Sequence, residues 1–156
     1  MHIRSFSSAD GPALAQLFYE TIHRIAGQHY SFEQVQAWAP GVPSVERFES
    51  WARDGRLFLV AAGEQDEPLA FCDLERDGHI DHLFCRADLA GTGVASMLYD
   101  AIEREAQNDG QQLLYVEASE PARRFFSRKG FSLDHRRDLL VSGVPIHNYR
   151  MTKHLE

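Results

Sequence analysis

Positive charge is scarce in this chain. Its 156 residues hold 16 Lys and Arg against 23 Asp and Glu, a formal net charge of −7. A protein that grips nucleic acid by neutralising phosphates needs the opposite balance, so no nucleic-acid partner is expected. Cysteine is scarcer still. Cys72 and Cys85 are the only two and lack CxxC spacing, which leaves neither a disulfide framework nor a cysteine-based zinc site. No run of about 18 apolar residues occurs, and Met1-His2-Ile3-Arg4-Ser5-Phe6 carries no apolar leader segment. No membrane partner and a cytoplasmic location are therefore expected. What is present is ordinary for a globular protein: 44% apolar and 25% charged residues, enough to bury a core. With no repeat, linker or low-complexity stretch, residues 1–156 are read as a single domain.

Hydrophobic spacing supplies the elements. His2 to Phe6 reads as a strand, and Leu14, Leu17, Phe18, Ile22 and Ile25 recur at helical spacing up to about Gly27. Residues 31–39 and 44–53 read as two shorter helices, whose Trp38 and Trp51 could pack a lid against the body. Three strands follow: Leu57–Ala62, Leu69–Leu74 and His79–Cys85, the last two joined through Asp77-Gly78, a pair that hairpins favour. Val94, Met97, Leu98, Ala101, Ile102 and Ala106 mark an amphipathic helix ended by Asp109-Gly110. Leu113–Ala118 is almost continuously apolar, the pattern of a strand buried on both faces. Pro121–Lys129 is a short helix closed by Gly130, and two strands near 131–140 and 145–153 turn at Ser142-Gly143. The fold class is α/β, in the α+β sense of a mixed sheet flanked by helices.

The most informative segment is Arg86-Ala87-Asp88-Leu89-Ala90-Gly91-Thr92-Gly93-Val94-Ala95-Ser96. It joins a strand to a helix with glycines at the helix start. Free backbone N–H groups and the positive end of the helix dipole make such a place a phosphate site, and glycine lets a ligand approach the backbone. No Gly-Lys-Ser/Thr follows, so it is not a Walker A loop. A Rossmann fingerprint also fits poorly, because the third glycine is replaced by Ser96 and the loop follows the fourth strand.

The order of elements, this loop and Ala122-Arg123-Arg124-Phe125-Phe126-Ser127-Arg128-Lys129-Gly130-Phe131 together resemble the GNAT superfamily of acyl-CoA-dependent N-acyltransferases. The resemblance spans essentially the whole chain. The family's Gln/Arg-x-x-Gly-x-Gly/Ala loop is matched by Ala90-Gly91-Thr92-Gly93-Val94-Ala95, and its Ala-x-x-Phe-Tyr-x-x-x-Gly-Phe signature from Ala122 to Phe131 at all but one position. The resemblance implies a mostly antiparallel sheet splayed between strands 4 and 5, with the thioester of acetyl-CoA in the gap. It implies that Gly91, Thr92, Gly93, Val94, Ala95 and Ser96 hold the pyrophosphate. Leu83, Phe84 and Cys85 would pair with the pantetheine arm as with an added strand. Ser119 stands where many members carry an Asn that touches that arm. Arg123, Arg124, Arg128 and Lys129 form a local basic patch suited to the phosphates of CoA.

Acetyl transfer to an amine requires that the ammonium lose a proton and the leaving thiolate gain one. Asp81 falls where aminoglycoside 6′-acetyltransferases, which resemble this chain in their Ile-Asp-x-Leu run, place a base. His79 falls where the histone-acetyltransferase branch carries its catalytic Glu. On a regular strand 79 and 81 share a face, and Glu117 lies across the splay, so these three are the candidate catalytic residues. An ordinary Asp is a weak base unless burial raises it, whereas a histidine near 6.5 needs no such help. A metal set of His79, His82 and Cys85 alternates faces and cannot converge without a bulge, so no metal is expected. His29, Tyr30 and Trp38, with Glu33, offer an aromatic wall for an ammonium-bearing acceptor. Two positions depart from the family pattern. Phe126 replaces the Tyr that commonly protonates the thiolate, leaving water, Tyr115 or Cys85 for that task, and Ala90 replaces the loop's Gln/Arg. The expected activity is an acetyl-CoA-dependent N-acetyltransferase acting on a small-molecule primary amine in a ternary complex. Protein or peptide acetylation and a non-catalytic CoA sensor are the alternatives, and a homodimer is open.

Overall fold

The computed structural model describes residues 1–156. Seven strands and five α-helices form the chain: β1 (His2–Ser5), α1 (Gly11–Arg24), α2 (Phe32–Trp38), α3 (Val45–Arg53), β2 (Leu57–Ala62), β3 (Pro68–Leu74), β4 (His79–Cys85), α4 (Val94–Asn108), β5 (Leu113–Ala118), α5 (Glu120–Arg128), β6 (Ser132–Val141) and β7 (Val144–His154). The strands make one sheet in the order β1-β2-β3-β4-β5-β7-β6. Every neighbouring pair is antiparallel except β4 and β5. No helix is long and apolar enough to cross a membrane.

Local chemistry explains most element ends. Pro12 sits in the first turn of α1, where a missing N–H costs nothing. Helix α1 stops at Arg24, and a 3-10 turn over Ala26–Gln28 completes the segment expected to be helical to Gly27. Ser31 caps α2 by accepting from the Gln34 N–H, while the Gln34 side chain returns to the Ser31 N–H. Ser142 and Gly143, both at positive φ, make the tight turn that lets β6 and β7 pair almost end to end.

The sheet separates two apolar cores. On one side α4 and α5 bury Leu98, Tyr99, Ile102 and Phe126 against Ile80, Leu114, Val116 and Met151. On the other, α1 to α3 bury Leu14, Phe18, Ile22 and Phe48 against Phe58, Val60 and Phe71. Each fully buried side chain of this size contributes roughly 1.5–3 kcal/mol. Trp38 and Trp51 are partly buried against the second core and belong to its packing, not to a separate lid.

Two departures from regular strand geometry prepare the site. Strand β5 is not buried on both faces: Leu114, Val116 and Ala118 are, while Tyr115 and Glu117 on the opposite face are partly open. Its apolar run concealed an alternation. In β4 a bulge intervenes, because Asp73 pairs with His82 and Leu74 with Ile80, leaving Asp81 without a cross-strand partner. Beyond the bulge β4 and β5 part company. They pair only at His79–Tyr115 and Ile80–Val116, so the rest of β4 has no partner on that side.

Candidate active site

At the splay two cavities lie along the same two elements. A cleft of about 370 Å³ takes Leu83 and Phe84 from β4, Ala122 and Phe126 from α5, and Ser119 from the turn between β5 and α5. A second cavity of about 380 Å³ takes Cys85, Gly91, Gly93, Ala95 and Ser96 together with Phe125, Arg128 and Lys129. Strand β4 and helix α5 therefore run from one cavity to the other.

The second cavity is built from backbone. Gly93 stands at the start of α4 with φ +93°, a left-handed conformation that a Cβ would strain. Thr92 donates from both its N–H and its hydroxyl to Leu89 O. The N–H groups of Gly91, Gly93, Val94, Ala95 and Ser96 have no acceptor in the protein, and no side chain caps the helix. They converge with the positive end of a 15-residue helix, an arrangement that favours a phosphate or pyrophosphate. The basic patch beside it is smaller than the sequence suggests. Lys129 is bonded to Asp100 at 2.8 Å, and Arg123 lies 4.0 Å over the Tyr149 ring and 3.6 Å from Glu120. Arg124 and Arg128 have no carboxylate partner, and only Arg128 of these two lines the cavity. Burial pushes the Cys85 thiol up to about 11, so it stays protonated there.

The first cavity gathers the polar groups. His79, Asp81, His82 and Glu117 all line it, with apolar walls from Phe18, Trp38, Leu139, Val141 and Ile146. His79 is clamped: Nδ1 meets Glu75 Oε1 at 2.6 Å and Nε2 meets Glu117 Oε2 at 2.9 Å. The Glu117 hydrogen bond, opposed by burial and helped by Glu75, raises this imidazole to about 9. The same bond holds the Glu117 carboxyl below its usual value, and Arg137 approaches its other oxygen at 3.4 Å. His79 and Glu117 thus form a charge pair at neutral pH, and the expectation that His79 is free to accept a proton is corrected. Asp81 binds Arg56 Nη1 at 2.8 Å. That guanidinium, 6% exposed, also holds Asp73 at 2.7 Å and Asp54 at 2.8 Å. Asp73, Asp81 and His82, and likewise Glu75, His79 and Asp81, bring their donor atoms within 4.8 Å of one another. Arg56 already supplies the positive charge between Asp73 and Asp81. Cys85 stands apart in the other cavity, so the His79, His82 and Cys85 set does not converge.

One pair of polar groups here escaped the sequence reading. Asp73 is completely buried and binds His82 twice, through its N–H at 2.7 Å and through ring Nδ1 at 3.0 Å, while His82 Nε2 has no partner. Strict alternation places His82 on the face opposite His79 and Asp81; the bulge brings all three to one cleft. The only signal in the sequence is the pairing of Asp73 with His82 across the hairpin, which is visible once its register is known.

Of the residues expected to form an acceptor wall, the structure brings only two to the cleft. Tyr30 and Trp38 line the cleft, their rings edge to face at 6.0 Å. The Tyr30 hydroxyl donates to His147 O at 2.9 Å and accepts from the Glu120 N–H at 2.8 Å, pinning the segment after α1 to the last strands. His29 and Glu33 are exposed and outside the cleft, because the 3-10 turn and the start of α2 direct them to solvent. Tyr115 is also outside: its hydroxyl donates to Asp77, and that bond raises it to about 12. It is not placed to serve the cleft as an acid.

Comparison with known proteins points to one family. Residues 26–153 match the Acetyltransferase (GNAT) domain family. The uncharacterized N-acetyltransferase YafP of Escherichia coli (strain K12) is 28% identical over 152 residues, covering 97% of this chain and 94% of its own. A GCN5-related N-acetyltransferase from Rhodopseudomonas palustris superposes with a TM-score of 0.90 at 32% identity, covering 99% of this chain and 95% of that one. YncA from Salmonella typhimurium, solved with acetyl-CoA, superposes with a TM-score of 0.77 at 16% identity, covering 100% and 94% of the two chains, a likeness of fold.

Proposed function

The chain belongs to the GNAT acetyltransferases, and on that premise we propose that it moves an acetyl group from acetyl-CoA to the primary amine of a small molecule with an apolar body. The observation that carries the reading is the splay. Strands β4 and β5 separate after two residue pairs, opening a slot between a cradle of unpaired N–H groups and a cleft floored by carboxylates and imidazoles. A donor with pyrophosphate at one end and a thioester at the other fits that layout, and YncA, which shares the fold, was solved with acetyl-CoA.

Each residue then has a task. Gly91, Gly93, Val94, Ala95 and Ser96 hold the pyrophosphate through their backbone; Thr92, expected among them, has its N–H and hydroxyl on Leu89 O and shapes the turn instead. Leu83, Phe84 and Cys85 offer a strand edge that no other strand covers to the two amides of the pantetheine arm, with the Cys85 carbonyl already accepting from the Thr21 hydroxyl at 2.9 Å. Ser119 and Phe126 line the slot where the thioester lies, Phe126 as an apolar surface with no proton to give. Asp81 and Glu117 make the cleft floor negative and draw in the ammonium, while His79 holds Glu117 in place. Tyr30 and Trp38, with Phe18 and Ile146, cover the acceptor's apolar part. The amine nitrogen attacks the thioester carbon directly, the carbon–sulphur bond breaks, and CoA leaves as the thiol.

Calorimetric titration of acetyl-CoA, CoA and ATP into the purified chain tests the cradle. Micromolar binding of acetyl-CoA and CoA with none of ATP is expected. Thiol release with a panel of primary amines tests the transfer, with amines on aromatic or branched aliphatic bodies turning over best. Binding of neither CoA species overturns the reading.

A further inference from the structure

We propose that His82 is the general base of this site and that Asp73 is its positioning residue. The proposal rests on the transferase reading above and adds the proton acceptor that the reading leaves open. Four other groups in the cleft could be asked to take the proton, and each is engaged. Asp81 is bound to Arg56 at 2.8 Å. Glu117 accepts from His79, and His79 has both ring nitrogens on carboxylates. His147 has its outer nitrogen, Nε2, on Glu120 at 2.6 Å, which leaves only the nitrogen beside its own main chain.

His82 has the opposite arrangement. Its inner nitrogen, Nδ1, faces a carboxylate that is 0% exposed, its outer nitrogen has no partner, and the residue lines the cleft. Asp73 is itself immobilised, by Arg56 Nη1 at 2.7 Å and by the His82 N–H at 2.7 Å. A carboxylate held this way accepts the Nδ1 proton, which fixes the tautomer with its lone pair on Nε2 and stabilises the imidazolium once a second proton arrives. Trp51 from α3 lies against the ring at 4.3 Å, with Phe18 from α1 at 6.1 Å and Phe84 at 6.2 Å, so the ring has little freedom to turn. The charged groups facing it are Asp73 from β3, Arg56 through Asp73, and Asp81, whose Oδ2 is 3.6 Å from Nδ1.

The step balances. The ammonium gives one proton to His82 Nε2, directly or through one water. The freed nitrogen bonds to the acetyl carbon, the carbon–sulphur bond breaks, and the second excess proton on nitrogen leaves with the sulphur as thiol. His82 then returns its proton to solvent, and no oxidant or reductant takes part.

The test is steady-state thiol release by the full chain with acetyl-CoA and the best amine of the panel, for wild type and His82→Gln. His82→Gln is expected to lower kcat by about 100-fold or more, to leave the KM for acetyl-CoA within about twofold, and to regain rate with added imidazole. The acidic limb of the wild-type pH–rate profile is expected to vanish in the variant. A His82→Gln enzyme with wild-type kcat overturns the assignment while the transferase reading stands. A wild-type chain that binds acetyl-CoA but releases thiol with no amine overturns both. Should His82→Gln fail to fold, nitrogen-15 spectra of the wild-type ring decide: Nδ1–H with bare Nε2 supports the proposal, and Nε2–H refutes it.

Discussion

The clamp on His79 makes a quantitative prediction about stability. This imidazole lies between Glu75 and Glu117, and its affinity for a proton is raised from the ordinary 6.5 to about 9 in the folded chain. The folded state therefore binds that proton more tightly than the unfolded chain. The resulting stabilisation is complete below the unfolded value and disappears as pH climbs through the folded one. Linkage gives about 3 kcal/mol near pH 6, about 2 kcal/mol near pH 7.5 and less than about 0.5 kcal/mol near pH 9. Glu75 is 39% exposed, so water and salt screen part of this and the figures are ceilings. Glu117 works in the other direction: its lowered carboxyl stabilises above the usual 4.5 and loses that contribution as pH falls through its folded value. Urea unfolding of wild type and His79→Gln, followed by tryptophan fluorescence, reads the difference. The gap between them should be widest near pH 6 and nearly closed near pH 9. A gap that is constant over this window, or widens toward alkaline pH, refutes the reasoning.

Other perturbations separate the parts of the site. Gly93→Val forces a branched side chain into left-handed backbone at φ +93°, so it should cost roughly 1–3 kcal/mol and weaken acetyl-CoA binding in calorimetry by more than about tenfold. Arg56→Met leaves Asp73 charged and without its cation in a fully buried position, and a loss of about 3–5 kcal/mol is expected in urea unfolding. Tyr30→Phe removes the hydroxyl that joins the Glu120 N–H to His147 O; about 1–3 kcal/mol and faster hydrogen exchange at Glu120 should follow.

Much of this was legible in the residues. The ends of β2, β4 and β5 and the Ser142-Gly143 turn match the sequence expectation, because hydrophobic period and turn chemistry are local. The glycine loop was legible for the same reason, since a strand, two glycines and a helix are adjacent in the chain. The cleft was less so. The inward turn of His82 depends on a bulge that shifts the register by one residue, and no single side chain in His79-Ile80-Asp81-His82 announces it. The loss of His79 as a free base depends on Glu75 and Glu117, the latter 38 positions away. Charges that look available in a string of letters are paired in the fold: Lys129 with Asp100, Asp81 with Arg56. Tyr30 lines the cleft while His29 beside it does not, because only one of two adjacent residues at that turn can face inward.

The division of the interior by the sheet has a consequence for change over time. The glycine loop proposed to hold the pyrophosphate is anchored through α4 in one core, while Phe18, Tyr30 and Trp38, the proposed acceptor walls, rest on the other. Substitutions that reshape the acceptor side strain packing that the cradle does not share, so their effects on the two ligands should combine nearly additively. On the proposed reading the molecule is modular through its thickness rather than along its length: one layer would keep a constant donor, and the other would be at liberty to trade one amine for another.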